Sequence, residues 1–479
     1  MNNARDVNPC RQLPDENNVE KRETEKRSAS LESILGSHMS TEEFFGNVWQ
    51  EKPFVFPFPG AANLPSAYNG GDGSWNDDSM QASPFQEVIK QGWSLLVHLL
   101  QQSKQGQTTN EANPPPEHKV PLIFQNKELK GPDEVEALYG SSPFASYLDG
   151  CSVVLNHGDL LSPWIAALCQ DLQNYFPHAY ANCYLTPPNS QAVHAHADDR
   201  DVLVIQILGA KEWQVYQSIP VLFPYPHEQV GKDDIPVPQQ VLEGPRRIST
   251  TLTAGDVLYM PRGFVHQAKC SDTLSFHITV ALATHDWTLA GMMSMATEKI
   301  LTQVIDYRKS ILPLSDPNFL QVQVDGAMKM LQEQITAETI LKNLHTRLEN
   351  HNRRSFPPRM QLIHEARFPS TKDTTPRDIV GPKAANRVVF TSTIRAATQD
   401  ERARVPANPS RPQGLNVREE IADTVMAIIS KLKADPTIQC RVVDLRKLSP
   451  KPNHLLCDFA LLCLAKRAVE LGAVAVVSS

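Results

Sequence analysis

The apolar positions of this chain change period along its length. Between 120 and 290 they fall in short runs, VLVIQILG (202–209), VLYM (257–260) and SFHITVALA (275–283), bounded by Gly, Pro, Asn and Asp. Runs of that length between turn residues predict buried strands. Gly255-Asp256 predicts a turn before VLYM, and Pro261-Arg262-Gly263 a second turn after it. Lys211 follows Gly209, which predicts a break and places it on the next strand. The proline-rich SIPVLFPYPHEQVGKDDIPVP (218–238) reads as a loop between strands. From 288 to 350 the spacing shifts to three and four, in MMSMATEKILTQVIDYRKSIL and FLQVQVDGAMKMLQEQITAETILKNLHTRLENH, which predicts amphipathic helices. The last stretch, 360–479, offers a strand-like RVVF, a helix EEIADTVMAIISKLKA, a helix around LLCDFALLCLAKRAVELG and a closing strand AVAVV.

Upstream, Ser30-Leu31-Glu32-Ser33 opens a helix leading to EEFFGNVWQEKPFVF. Residues 1–30 are polar and charged and are expected to be disordered. Two low-complexity segments, 59–82 and 104–118, read as surface loops around one helix, QEVIKQGWSLLVHLLQQ.

Composition narrows the class. The chain has 479 residues, 41% hydrophobic and 21% charged, with a net charge of −7. That describes a globular protein of two or three domains. No apolar run reaches membrane length, and the most apolar late stretch carries Lys466, Arg467 and Glu470. The polar N-terminus holds no signal-peptide core. Eight cysteines (10, 151, 169, 183, 270, 440, 457, 463) form no C-x-x-C pair, which points to free thiols in a reducing compartment and away from a cysteine zinc site. From 345 to 420 there are 14 Lys and Arg against 8 Asp and Glu. This local excess fits either a weak RNA contact or a solvated linker.

The candidate chemistry is His196-Ala197-Asp198, with His266 seventy residues on. Residues i and i+2 of a strand share a face, so His196 and Asp198 can offer an imidazole and a carboxylate to one ion. With His266 they make a facial set of two histidines and one carboxylate. Three positions stay open, which suits non-haem Fe(II) and oxygen, whereas a structural zinc site closes all four. His194-Ala195-His196 is a competing pair that leaves Asp198 without a role. His277 and Thr279 share a face of the last strand and read as core or supporting residues.

The segment ANCYLTPPNSQAVHAHADDRDVLVIQILGAKEWQVY, followed by GDVLYMPRGFVHQA, resembles the JmjC-type ribosomal oxygenases, and TPPNSQ resembles their nucleolar histidyl-hydroxylase branch. The resemblance is strong over 145–290, fair over 31–57 and architectural beyond 300. It implies a mixed α and β fold: a cupin-type double-stranded β-helix (jelly roll) JmjC barrel over 31–290, a helical dimerisation module over 291–355 and a winged-helix-like domain over 356–479. It implies Fe(II) on His196, Asp198 and His266, with 2-oxoglutarate and O2 as cosubstrates. Lys211, in GAKEW, falls on the lysine that pairs the far carboxylate of 2-oxoglutarate. Asn182 falls on a polar contact to the cosubstrate, and Tyr184 on a residue facing the substrate. Ala197 stands where relatives carry tyrosine, and the serine they present from the last strand is not evident in SFHITVALA. The implied activity is hydroxylation of a histidine of a ribosomal protein. Demethylation of N-methyl-lysine on a histone tail, by the same metal centre, and an inactive cupin-like binding protein are the alternatives. A homodimer, a nuclear or nucleolar address (cytoplasm being the other), and no membrane association complete the expectation.

Overall fold

The computed structural model describes residues 28–59, 82–104, 119–232, 234–313, 315–367, 378–405, 414–450 and 453–478. The expected N-terminal tail and the two low-complexity loops lie almost wholly outside these residues.

Ten antiparallel strands form the central layer: β1 (Phe54–Phe56), β2 (Leu122–Gln125), β3 (Glu128–Leu129), β4 (Ser152–Leu155), β5 (Tyr180–Thr186), β6 (Arg200–Tyr216), β7 (Arg246–Thr253), β8 (Val257–Met260), β9 (His266–Lys269) and β10 (Ser275–Thr284). Their order is β1-β8-β6-β10-β5-β4-β2-β3, with β7 and β9 also paired to β6. Strand β6 is the hinge of this arrangement. Its first half pairs β10 on one side and β8 on the other, and its second half pairs β7 and β9. The first half, Val202–Leu208, is buried on both faces, as an uninterrupted apolar run requires. The second half alternates: Lys211, Trp213 and Val215 face inward, while Glu212 and Gln214 are half-buried. Lys211 therefore lies on the same strand as VLVIQILG, not on the next one. The expected break at Gly209 is a bend. Gly209 has φ +67, and a Cβ there would sit 1.8 Å from the Leu274 carbonyl oxygen, so only glycine lets β6 change partners without ending.

The expected single helix over QEVIKQGWSLLVHLLQQ is two, Pro84–Lys90 and Gly92–Lys104. They part where the chain crosses β6, and a Cβ on Gly92 would come within 2.8 Å of Leu208 Cδ2.

Beyond the barrel come helices Leu289–Leu301, Pro317–Gln334 and Ala337–Arg367. The last runs through Pro357 and Pro358, so the expected boundary at 355/356 falls inside a continuous helix. Its C-terminal part is anchored to the barrel. The Arg359 guanidinium donates to Asp159 Oδ2 at 2.9 and 2.7 Å and to the Ala179 carbonyl at 2.6 Å, and it also bonds Gln173. Asp159 in turn accepts the Ala181 N–H of β5 at 3.2 Å.

The C-terminal region holds a second antiparallel sheet of β11 (Thr393–Ala396), β12 (Cys440–Arg441) and β13 (Val474–Ser478), in the order β12-β11-β13. RVVF is not a strand. Ser392 N–H reaches the Val389 carbonyl at 3.0 Å and Ser392 Oγ accepts the Val389 N–H at 2.9 Å, which closes a turn before β11 begins. Helices Glu419–Ala434 and Asp458–Glu470 form as expected. The second of these is buried over most of its length, with Phe459 packed edge-on to Tyr147 at 4.9 Å, and one apolar core runs from the barrel into this region.

Candidate metal centre

His196 and His266 face each other as an isolated antiparallel pair, each N–H bonded to the other's carbonyl at 3.1 and 2.9 Å. Their rings lie 4.5 Å apart. Asp198 comes two residues later, just before β6 begins, and its carbonyl accepts the Gly263 N–H of the Pro261-Arg262-Gly263 turn at 2.9 Å. Asp198 Oδ1 is 3.7 Å from His196 Nε2, and Oδ2 is 3.8 Å from His266 Nε2. Among the described residues this is the one group of three or more His, Cys, Asp or Glu whose ligand atoms lie within 4.8 Å of one another.

The protonation states suit a ligand set. Burial pushes His196 down to about 3, helped by the neighbouring His266, and burial lowers His266 too. Burial would raise Asp198, but Lys232, His196 and His266 outweigh it and hold the carboxyl below its ordinary range. The set is thus two neutral imidazoles and one carboxylate, the forms that bind a metal. Each Nδ1 faces a backbone carbonyl, that of His194 at 2.8 Å or Phe264 at 3.1 Å. A carbonyl only accepts, so Nδ1 carries the proton and Nε2 is left free.

The three residues open into the barrel interior, lined also by Tyr184, Lys211, Trp213, His277 and Thr279. Lys211 is 3% exposed, and its ammonium donates to Thr186 Oγ1 at 3.1 Å, with no carboxylate beside it among the described residues. Desolvation lowers its pKa, as expected of a buried cation without an anion. Trp213 Nε1 and His277 Nδ1 are also buried and find no hydrogen-bond partner. Buried polar groups are normally matched, so three under-matched donors or acceptors around one cavity describe a pocket shaped for a polar ligand.

Most expected residues meet here. Tyr184 lines the cavity, stacked on His277 with ring centroids 4.8 Å apart. Asn182 does not line it. Its Oδ1 accepts the His157 N–H at 3.1 Å, and its side chain hydrogen-bonds Tyr184, so it supports the wall from behind. His194 turns outward to Glu128, 3.4 Å away, and stays out of the ligand set. Ala197 points away from the metal side into a cluster with Tyr216, Val230 and Val265. The sequence reading missed Lys232, whose ammonium lies 2.5 Å from Asp198 Oδ1, and Trp213, whose ring stacks on His266 at 5.9 Å. Trp213 was within reach of the period-two pattern, two residues from Lys211. Lys232 sits in an aperiodic loop, where a lysine carries no signal.

Residues 155–289, which hold this site, match the JmjC domain family. Over 176 residues the chain is 32% identical to ribosomal oxygenase 1 of Rattus norvegicus, covering 36% of this chain and 29% of that protein. Over 181 residues it is 33% identical to the bifunctional lysine-specific demethylase and histidyl-hydroxylase NO66 of Dictyostelium discoideum, covering 36% and 34%. The chain thus spans about a third of the length of the curated relatives it matches. Among solved structures, E. coli ycfD aligns over 91% of this chain and 98% of its own at 15% identity and a TM-score of 0.35, too low to add to the argument.

Proposed function

We propose that this chain is an Fe(II)- and 2-oxoglutarate-dependent protein hydroxylase acting on a histidine of a ribosomal protein. The observation that carries the reading is Lys211: a buried ammonium without a carboxylate among the described residues, in the same cavity as two neutral histidines and an ionised aspartate. A dianion that chelates a metal at one end needs a cation at the other, and Lys supplies it as a compact point charge.

Bound iron would couple the oxidative decarboxylation of 2-oxoglutarate by O2, giving succinate and CO2, to the insertion of one oxygen atom into a C–H bond. The chain contributes the rest. His196, Asp198 and His266 would hold the ion on one side. Lys211 would fix the distal carboxylate, with Thr186 orienting the ammonium. Tyr184, braced by His277 and Asn182, would set the wall against which the substrate lies. Its hydroxyl stays protonated, because burial raises it and the Asp198 charge raises it further. Val202, Val204 and Met260 make the remaining wall apolar and keep water out.

Assembly belongs to the same proposal. Helix Pro317–Gln334 has no buried residue and shows Phe319, 61% exposed, along with Val322 and Met328. Leu341 on the next helix is exposed as well. Exposed apolar surface of this extent marks interfaces, and a two-fold dimer is the simplest closed solution. The C-terminal sheet and helices fit a winged-helix-like reading, with the buried Asp458–Glu470 helix used for packing. Weak RNA contact through 345–420 draws less support, because Arg347, Arg359, Arg395 and Arg418 are engaged by Asp286, Asp159, Glu401 and Glu420. A nuclear or nucleolar address rests on the resemblance alone.

The test is mass spectrometry of ribosomal proteins from cells with and without this gene, paired with succinate release by the purified protein. The reading expects one protein to lose the mass of an oxygen atom when the gene is absent. A methylated histone peptide that loses methyl groups, with ribosomal proteins unchanged, would transfer the assignment to demethylation. Absence of iron-dependent succinate would leave a binding protein.

A further inference from the structure

The loop 218–238 between β6 and β7 does more than connect them. Its residues Gln229–Lys232 run against the metal-ligand segment. The Val230 carbonyl accepts the Ala197 N–H at 2.9 Å, and Gln229 Oε1 accepts the Asp199 N–H at 3.3 Å. Gly231, at φ +82, sits so close that a Cβ would lie 2.3 Å from the Ala195 carbonyl and 2.6 Å from His196 Cα. This contact delivers Lys232. Its ammonium donates to Asp198 Oδ1 at 2.5 Å and to Gln229 Oε1 at 3.1 Å. The lysine side chain is 34% exposed, on the wall of a groove of about 710 Å³ that adjoins the metal cavity through His194 and Gln267.

We propose that Lys232 makes metal binding and cosubstrate binding depend on each other. The inference rests on the proposed metal and 2-oxoglutarate sites. A divalent ion held by Asp198 shares that carboxylate with the Lys232 ammonium. Two like charges on one carboxylate repel, and in a largely enclosed site water screens the repulsion only in part. Lys211 places a second ammonium in the metal cavity itself. Metal alone therefore builds a large positive excess there. A dianion beside the metal cancels most of it. Lys232 penalises the metal-only complex and favours the complex with both ligands. Coupling is reciprocal, so the metal tightens 2-oxoglutarate by the factor by which 2-oxoglutarate tightens the metal. The device keeps a bare, reactive ion from residing in the barrel without its cosubstrate.

The test is calorimetric titration of Mn(II) into the full chain, with and without saturating 2-oxoglutarate, for the unmodified protein, Lys232→Gln and Lys232→Arg. Lys232→Gln is expected to bind Mn(II) alone about tenfold more tightly and to lose about tenfold of the enhancement by 2-oxoglutarate, within the usual range of coupling energies. Lys232→Arg, which keeps the charge, should behave as the unmodified protein. Lys232→Met provides the same comparison should the glutamine variant fold poorly. Weaker binding of Mn(II) by both neutral variants would show that Lys232 merely holds Asp198 in place and would overturn the inference, as would an unchanged enhancement. Mn(II) binding that is absent, or that survives in Asp198→Ala, would remove the metal centre itself and the coupling with it.

Discussion

Arg359 and Lys211 are both cations withdrawn from water, at 1% and 3% exposure, and the molecule treats them in opposite ways. Arg359, on the long helix Ala337–Arg367, meets Asp159 through two donors and gives its remaining hydrogen bonds to Ala179 and Gln173. Lys211, on β6, donates to a threonine hydroxyl and, among the described residues, has no carboxylate beside it. A charge buried for the fold finds its counter-charge within the chain, because an unpaired one costs several kcal/mol. A charge buried for a ligand is left for the ligand to match. The helix seam and the barrel interior are thus told apart by how completely each satisfies its own cation.

The largest effect is expected at the seam. Arg359→Ala strands Asp159 without its partner and should cost about 3–5 kcal/mol of folding stability, read by denaturant unfolding. Replacing both partners with apolar residues should recover much of that loss. The same truncation at Lys211 should behave in the opposite sense. Lys211→Met removes a desolvated ammonium beside which no carboxylate lies among the described residues, so unfolding stability should hold or rise by about 1 kcal/mol. A loss at Lys211 as large as that at Arg359 would collapse the comparison.

A smaller effect should follow from pH at the same seam. His178 packs against His351 with the rings tilted by 48° and their centroids 4.4 Å apart. Burial, then His351 and Arg359, lower His178 to about 3. The unfolded chain binds this proton near pH 6.5, as an unperturbed histidine does. The folded pKa lies below the unfolded one, so the contribution is complete above about pH 6.5 and is lost as pH falls from there toward 3. The slope is about 1.4 kcal/mol per pH unit once protonation of the unfolded chain is complete. His178→Phe should flatten it in denaturant titrations between pH 6 and 4. The smallest energetic effect is expected at the exposed apolar side chains of helix Pro317–Gln334. Phe319→Asp with Met328→Asp should change monomer stability by no more than about 0.5 kcal/mol each, while light scattering moves from dimer to monomer. A monomer for the unmodified chain at micromolar concentration would remove the interface.

The same contrast explains what the sequence disclosed. The strands and the His196, Asp198 and His266 set were legible because short apolar runs between turn residues leave a local pattern, and the ligands sit at the ends of those runs. The continuity of β6 was not, since a glycine reads as a break unless one knows that Leu274 passes within van der Waals distance of it. The passage of one helix through Pro357 and Pro358 was equally hidden, as the compensating anchor, Asp159, lies two hundred residues away. RVVF carries strand residues but is held in a turn by Ser392. Lys232 comes from a loop with no period at all. Asn182, a cosubstrate contact by the resemblance, instead accepts the His157 backbone N–H, a partner twenty-five residues away that leaves no local pattern.

The central claim is that Lys211 is buried for a dianion held by a metal at His196, Asp198 and His266. The direct test is calorimetric binding of 2-oxoglutarate to the Mn(II)-loaded protein and to Mn(II)-loaded Lys211→Met. The account predicts that the variant keeps its Mn(II) affinity and loses about a hundredfold in 2-oxoglutarate affinity, roughly 2.7 kcal/mol. Equal 2-oxoglutarate affinity in the two proteins would contradict it.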